Sequence, residues 1–300
     1  MTAPPPGEFR SGFCASVGRP NVGKSTLLNA LVGAPVAITT PVPQTTRFVV
    51  RGVLHDERVQ VVFVDTPGLH KARTLLGTRL NDVARNASSD VDVSLLVVDG
   101  AGGIGRGDRF VAGLLADHAD RTIVVINKLD RMPKAAQLPA IAQMAELGDW
   151  ADIVPVSART GEGVPVVRDL IVARMPVGPP YFPPEQITDQ TTEQRVAELI
   201  REQAIVRMRE EVPHSVAVVV DEMLPSDGGD VTVVHATIYV ERDSQKGIVI
   251  GHHGGVLREI GASARPGIER LLGTGVYLDL RVKLLKDWQG NPRALDRLGY

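Results

Sequence analysis

Five short apolar runs recur through the first half of the chain, at residues 13–17, 59–64, 93–98, 122–126 and 152–156. Each has the length of a buried strand, and helical stretches fall between most of them. Leu27, Leu28 and Leu31, for example, stand at i, i+1 and i+4 and mark one face of a helix. Strands alternating with helices predict an α/β fold, a mostly parallel sheet with helices on both faces. Ligands in such sheets bind at the carboxyl ends of the strands. Polar residues stand there: Asp65 ends the second run, Asp99 the third, Asn127 the fourth and Ser157 the fifth.

The pattern changes near residue 176. Residues 176–189 hold five prolines and read as a stiff linker or domain boundary. Beyond it, residues 191–212 have helical spacing at Val196, Leu199, Ile200 and Ile205, and Pro213 stops the run. Strands are predicted at 214–222 and 231–241, joined by a turn at 225–230. A helix, a glycine-rich loop, a second helix and a last strand, 276–285, complete a separate α+β unit. The expected organisation is a disordered lead at 1–10, a first domain at 11–178, a linker at 179–190 and a second domain at 191–300.

Composition narrows the field. The net charge of −2 offers no whole-molecule attraction to nucleic acid, so a basic patch must be local. The single cysteine, Cys14, rules out an internal disulfide and fits a reducing cytosol. The first twelve residues lack the apolar core of a secretory signal, and no run approaches the roughly 18 apolar residues of a membrane span.

The chemistry begins at residues 18–26, Gly18-Arg19-Pro20-Asn21-Val22-Gly23-Lys24-Ser25-Thr26. Gly18, Gly23, Lys24 and Ser25 are spaced as a phosphate loop, in the required order of strand, loop and helix. Glycines let backbone N–H groups turn inward around phosphate oxygens, and the helix start adds partial positive charge. Lys24 is placed for the β- and γ-phosphates and Ser25 for Mg2+. Residues 33–47, rich in threonine, read as a flexible loop able to close over a phosphate, with Thr45 and Thr46 as candidates for Mg2+ and the γ-phosphate. Asp65-Thr66-Pro67-Gly68 follows a strand, so Asp65 can hold the hydration shell of Mg2+ and Gly68 can bring its N–H to the γ-phosphate. In Asn127-Lys128-Leu129-Asp130, the Asp130 carboxylate can accept from guanine N1–H and the exocyclic N2 amine, a donor pair adenine lacks. Ser157-Ala158 can present a backbone N–H to guanine O6. The nucleotide is therefore GTP or GDP.

Residues 18–25, 44–48, 65–68, 127–130 and 156–158 resemble the five signature motifs of the translation-factor-related GTPases. The form GRPNVGKST with QTTR is similar to the bacterial ribosome-assembly GTPases in particular. The resemblance implies a P-loop GTPase domain with Lys24 on the phosphates, Ser25 and Thr46 as Mg2+ ligands, and Asp65 acting through water. Thr46 is preferred to Thr45 as the second threonine of the TTR motif. It places Asn127 and Asp130 on the base with Lys128 flanking it, and makes Lys24, Thr46, Asp65 and Gly68 the catalytic set. Leu69 departs from the Ras-like pattern, where a glutamine orients water. Leucine cannot do so, and slow intrinsic hydrolysis in need of help is expected. Similar GTPases with Asn at the position of Asn21 can hold K+ against the phosphates. A ribosomal partner that orders the loops is the other expected helper.

Gly251-His252-His253-Gly254 lies between two predicted helices, and the order of elements around it resembles a type II KH domain. That loop lets the backbone of four single-stranded nucleotides lie close. Ile250, Gly251, His252, His253, Gly254, Gly255 and Arg258 are the candidate RNA contacts, extended by Arg281 and Lys283 on one face of the last strand. Histidine is mostly neutral at pH 7, so the loop grips phosphate less strongly than lysine would. Residues 191–300 carry 14 Lys and Arg against 16 Asp and Glu, whereas residues 244–293 carry 8 against 4. Aromatic residues, 4% of the chain, are too few for the stacking platforms of RRM or OB-fold readers. The combined resemblance implies a monomeric GTP-hydrolysing switch that binds near the 3′ end of 16S ribosomal RNA and assists 30S subunit assembly. It implies action in the cytoplasm and allows peripheral association with the inner membrane. The alternative is an RNA-binding protein or chaperone that ignores nucleotide.

Overall fold

In the computed structural model, described for residues 8–69, 74–226 and 230–300 with the side chains of 87–89 excluded, the chain forms two compact units. The first runs to Ala37, resumes at Thr46, yields the short stretch that ends at Leu76 to the second unit, and continues from Gly77 to Asp189. The second takes Ile38–Thr45 and Gln190–Tyr300. Most of the expected lead at 1–10 and the middle of the turn at 225–230 lie outside the described residues.

The first unit contains β1 (Arg10–Val17), α1 (Lys24–Val32), β2 (Val50–Asp56), β3 (Val59–Asp65), α2 (Leu75–Ser89) and β4 (Val93–Asp99). It continues with α3 (Arg106–Leu114), β5 (Thr122–Asn127), α4 (Lys134–Ala145), β6 (Asp152–Pro155) and α5 (Val164–Arg174). The strand order is β2-β3-β1-β4-β5-β6, parallel except for β2, which pairs antiparallel to β3. Successive side chains of a strand point to opposite faces. Leu95, Val97, Ile123 and Val125 accordingly pack with Leu27, Leu31, Val167 and Ile171 of α1 and α5. Leu96, Val98, Val124 and Ile126 pack with Val111 and Met144 of α3 and α4. This double burial explains why the parallel strands read as continuous apolar runs. The one strand without such a run is β2, where Arg51 and Gly52 interrupt the pattern at the sheet edge.

The second unit contains α6 (Thr192–Arg207), α7 (Val212–Ser215), β7 (Ala217–Pro225), β8 (Val231–Val240), α8 (Asp243–Ile250), α9 (Gly255–Leu272), β9 (Gly275–Leu284) and α10 (Pro292–Leu298). The Thr191 hydroxyl accepts the Gln194 N–H at 3.2 Å while Gln194 Oε1 accepts the Thr191 N–H at 3.0 Å, a capping box that starts α6. The sheet order is β7-β8-β9, with β7 antiparallel and β9 parallel to β8. Val234, Ala236, Ile238 and Val240 of β8 meet Ile200, Ala204, Ile260 and Ile268 of the helices. The chain end adds a plug: Trp288 is fully buried, stacks on Tyr300 at 5.4 Å, and donates Nε1–H to the Ser215 carbonyl at 3.0 Å.

The proline-rich stretch belongs to the first unit rather than standing free. Gln60, fully buried in β3, accepts the N–H groups of Tyr181 and Phe182 at 2.6 and 3.0 Å and donates to the Phe182 carbonyl at 2.7 Å. A glutamine side chain can satisfy three backbone groups where a strand would pair them, and proline cannot form a strand ladder. Gln60→Leu leaves those partly buried groups without their partner, and a loss of about 1–2 kcal/mol follows. Chemical unfolding measures it, and limited proteolysis within 176–189 rises in the variant. Unchanged stability and cleavage would show that the stretch is held by other means.

Candidate functional site

The loop from β1 to α1 carries the phosphate motif, and Lys24 is the first residue of α1. Its Nζ donates to the carbonyls of Gly18 at 3.3 Å and Arg19 at 3.1 Å. Burial pulls the Lys24 ammonium down to about 8, opposed by attraction to Asp65. Burial also raises the Asp65 carboxyl above its usual range, against Lys24 and three hydroxyl donors. Each group leans toward its neutral form until a ligand supplies compensating charge.

Three oxygen groups converge beside Lys24. The Ser25 hydroxyl donates to Asp65 Oδ2 at 2.6 Å, lies 2.8 Å from Thr46 Oγ1, and Thr46 Oγ1 lies 3.3 Å from the same carboxylate oxygen. The other oxygen, Oδ1, accepts the Ser16 hydroxyl at 3.0 Å. An all-oxygen set of one carboxylate and two hydroxyls fits a hard divalent cation, Mg2+ before Zn2+. Thr45 is directed elsewhere: its hydroxyl donates to the Val42 carbonyl at 2.7 Å and lies 2.6 Å from Thr40 Oγ1. Ser16 escaped the sequence reading because a serine inside a strand carries no motif.

The Asp65–Leu69 segment is pressed onto the phosphate loop. A Cβ at Gly68 would stand 2.6 Å from Pro20 N and 2.7 Å from Pro20 Cα. Thr66 is fully buried and donates to the Ser16 carbonyl at 2.8 Å, so it anchors the strand end. Leu69 donates its N–H to the Gly18 carbonyl at 3.1 Å, and its side chain is buried among Val17, Leu96 and Ala84 in the core cluster. That side chain neither reaches nor orients a water.

At the base end, buried Asn127 joins two motifs: Nδ2 donates to the Val22 carbonyl at 2.8 Å, and Oδ1 accepts the Ala158 N–H at 3.0 Å. Of the backbone N–H groups that Ser157-Ala158 could present to guanine O6, that of Ala158 is engaged by Asn127 in this structure. Asp130 Oδ1 accepts the Ser157 hydroxyl at 2.7 Å, and Arg159 Nη2 stands 3.2 Å from Oδ2. Lys128 adopts the left-handed conformation at φ 67°, and Asn21 does so in the phosphate loop at φ 63°.

In the second unit, Gly251 to Gly254 link α8 to α9. Gly251 has φ 70°, and a Cβ there would meet Val256 Cγ2 at 2.5 Å. His252 and His253 stand edge to face with centroids 4.0 Å apart. Beside the loop lies a groove of about 640 Å3 whose lining includes Gly254, Gly255, Arg258, Arg265, Leu278 and Leu280. Its floor is apolar, and two arginines seven residues apart border it together with one acid, Glu259, a surface suited to bases below and phosphates at the rim beside the arginines. Arg265 was not foreseen. Arg281 and Lys283 do not join the groove: they alternate with Leu278, Leu280 and Val282, which pack on the helix side, and so face the opposite side of the sheet. Arg281 there pairs with Asp279 at 3.1 Å, which also meets His235 Nδ1 at 3.0 Å.

Gly68→Ala tests the contact between the two phosphate-facing segments. The added carbon forces Pro20 or the Asp65–Leu69 segment to shift, and GTP turnover falls about a hundredfold while the melting temperature moves little. Wild-type turnover in Gly68→Ala would show that the close approach has no part in the site.

Comparisons with known proteins agree with this geometry. The family described as 50S ribosome-binding GTPase matches residues 13–128, and the KH domain family matches residues 211–289. GTPase Era of Mycolicibacterium paratuberculosis (strain ATCC BAA-968 / K-10) is 53% identical over 299 residues, covering 98% of this chain and 99% of the relative. GTPase Era of Mycobacterium tuberculosis (strain ATCC 25177 / H37Ra) is 53% identical over 300 residues, with the same coverage of 98% and 99%. A crystal structure of Era in complex with MgGDPNP and nucleotides 1506–1542 of 16S ribosomal RNA is similar at TM-score 0.94 and 37% identity, over 97% of this chain and 99% of that one. An Aquifex aeolicus Era variant bound to GDP and AlF4− is similar at TM-score 0.93 and 37% identity, over the same 97% and 99%. With a P-loop GTPase unit and a KH unit in one chain matched along nearly its whole length, this protein belongs to the Era family of GTPases.

Proposed function

We propose that this chain hydrolyses GTP to GDP and phosphate and uses the bound nucleotide to control its grip on the 3′ region of 16S ribosomal RNA during assembly of the 30S subunit. The observation that carries the reading is the presence in one chain of the Ser25, Thr46 and Asp65 oxygen set and the GxxG groove bordered by Arg258 and Arg265. The relative solved with MgGDPNP and 16S nucleotides held both ligands at once. Ser25, Thr46 and Asp65 would hold Mg2+, which supplies charge neutralisation on the phosphates when bound. Lys24 binds the phosphates, and Asp130 selects guanine by accepting its N1–H and N2 amine. Water attacks the γ-phosphorus, the bond to the β–γ bridging oxygen breaks, and GDP and phosphate leave. With Leu69 buried, no side chain at that position positions the water, and positioning is the main resource of phosphoryl transfer. Ribosomal RNA as the proposed ligand supports action in the cytoplasm. Among the described residues no helix is long and apolar enough to cross a membrane.

The energetic logic is a population shift, since nucleotide can change RNA affinity only by its differential affinity for two states. The test is binding of a short single-stranded RNA from the 16S 3′ end at fixed salt, with GDPNP, with GDP, and in Gly254→Asp. Binding at least about tenfold tighter with GDPNP than with GDP, and lost in the variant, is expected. Binding indifferent to nucleotide and variant alike would falsify the switch and favour an RNA chaperone.

We further propose that K+ assists hydrolysis at Asn21, which lies within the phosphate loop with a left-handed backbone at φ 63°. GTP turnover should be faster in KCl than in NaCl, and Asn21→Ala should abolish the difference. Equal rates in the two salts would remove the cation from the mechanism.

A further inference from the structure

Two carboxylates outside the signature motifs, Asp99 and Asp108, stand at the ends of the segment joining β4 to α3. They divide their oxygens in the same way. Asp99 Oδ1 accepts the Gly102 N–H at 3.0 Å, and Oδ2 meets Lys128 Nζ at 2.6 Å. Asp108 Oδ2 accepts the Gly105 N–H at 2.8 Å, and Oδ1 meets Arg19 Nε at 2.7 Å. In each case one oxygen fixes the segment's own backbone while the other grips a cation from a nucleotide motif. The Asp108 side chain is only 1% exposed, so its charge depends on those two partners.

The two grips lead to opposite ends of the nucleotide. Asp99 is register partner to Asn127, beside the base motif, and holds Lys128. Asp108 holds Arg19, whose carbonyl in turn accepts Lys24 Nζ at 3.1 Å. A buried acid on α3 is therefore linked to the phosphate lysine through a single residue. Gly107 makes room for the link, since a Cβ there would stand 2.4 Å from Arg19 Cδ.

We infer that residues 99–108 are a brace that sets the distance between the base and phosphate ends of the site. Asp99 is a positioning residue acting through Lys128, and Asp108 one acting through Arg19 and Lys24. The two ends predict different kinetics. The base is held alike in ground and transition states, so disturbing Lys128 removes uniform binding and raises KM alone. The phosphates change during reaction, so disturbing Lys24 lowers kcat. The inference rests on guanine-nucleotide binding at this site, and the experiment separates the two.

The experiment is steady-state GTP turnover and GDP binding of the full chain in Asp99→Asn, Asp108→Asn and Gly107→Ala, with melting temperatures. Asparagine keeps the shape and one oxygen for the loop N–H, and Gly107→Ala displaces Arg19 without removing a charge. Asp99→Asn should raise KM and the GDP Kd about tenfold with kcat nearly unchanged. Asp108→Asn and Gly107→Ala should lower kcat about tenfold to a hundredfold. The brace is overturned if all three variants change KM and kcat in the same proportion, or if Asp108→Asn and Gly107→Ala keep the wild-type kcat. A wild-type chain that binds no GDP would instead overturn the nucleotide site itself.

Discussion

The burial of Asp65 is the constraint on which the rest of the first unit turns. A carboxylate excluded from water is costly unless each oxygen is satisfied. Here Ser16 serves one oxygen, Ser25 and Thr46 serve the other, and Lys24 supplies opposite charge nearby. Those four residues come from a strand, a helix start and a loop, so placing Asp65 places all three segments. The arrangement is balanced for a charged ligand. Burial disfavours the charged forms of Lys24 and Asp65, and a polyphosphate with its divalent ion favours them. The interactions that hold these segments together are therefore the ones a nucleotide engages.

A second polar bridge closes the other end. Asn127 ties Val22 of the phosphate loop to Ala158 of the base loop through one buried amide. An amide offers both donor and acceptor, which a carboxylate or hydroxyl at that strand end would supply less completely. Asp65 ends β3 and Asn127 ends β5, with the parallel strands β1 and β4 between them, so the sheet itself spaces the metal end from the base end. The proposed brace works within the same spacing, because Asp99 lies in register with Asn127.

What was legible in the chain follows from this. The ligand demands particular residue types at particular spacings, so the phosphate loop, Asp65–Gly68, Asn127–Asp130 and Ser157–Ala158 could be read directly. Parallel strands buried on both faces announced themselves as apolar runs, whereas β2 at the edge did not. Partners that act across sequence distance left little local trace: Asp99 stood out only as a polar strand end, and Ser16 and Asp108 are single polar residues whose roles depend on what the fold brings near. The proline-rich stretch reads as a stiff linker or domain boundary because five prolines make poor helix and poor strand, and only the fold shows that Gln60, more than a hundred residues earlier, supplies its partners. For Arg281 and Lys283, alternation along β9 separates them from the apolar face, but only the packing of α9 reveals that the groove lies on that apolar side.

The groove also changes the weight of the His252–His253 pair. Two histidines in a GxxG loop carry less fixed charge than the basic pairs common there, so the loop by its sequence is a weak phosphate contact. The positive charge at this surface stands instead on α9, at Arg258 and Arg265, two turns apart on the helix that begins at the loop. Arg258 also donates to the His253 carbonyl, so the same guanidinium that borders the groove fixes the backbone of the loop. Under the proposed reading, the loop provides close approach and the helix provides charge. Steric access and electrostatic attraction are then supplied by different residues, and neither histidine has to be charged for the unit to hold RNA.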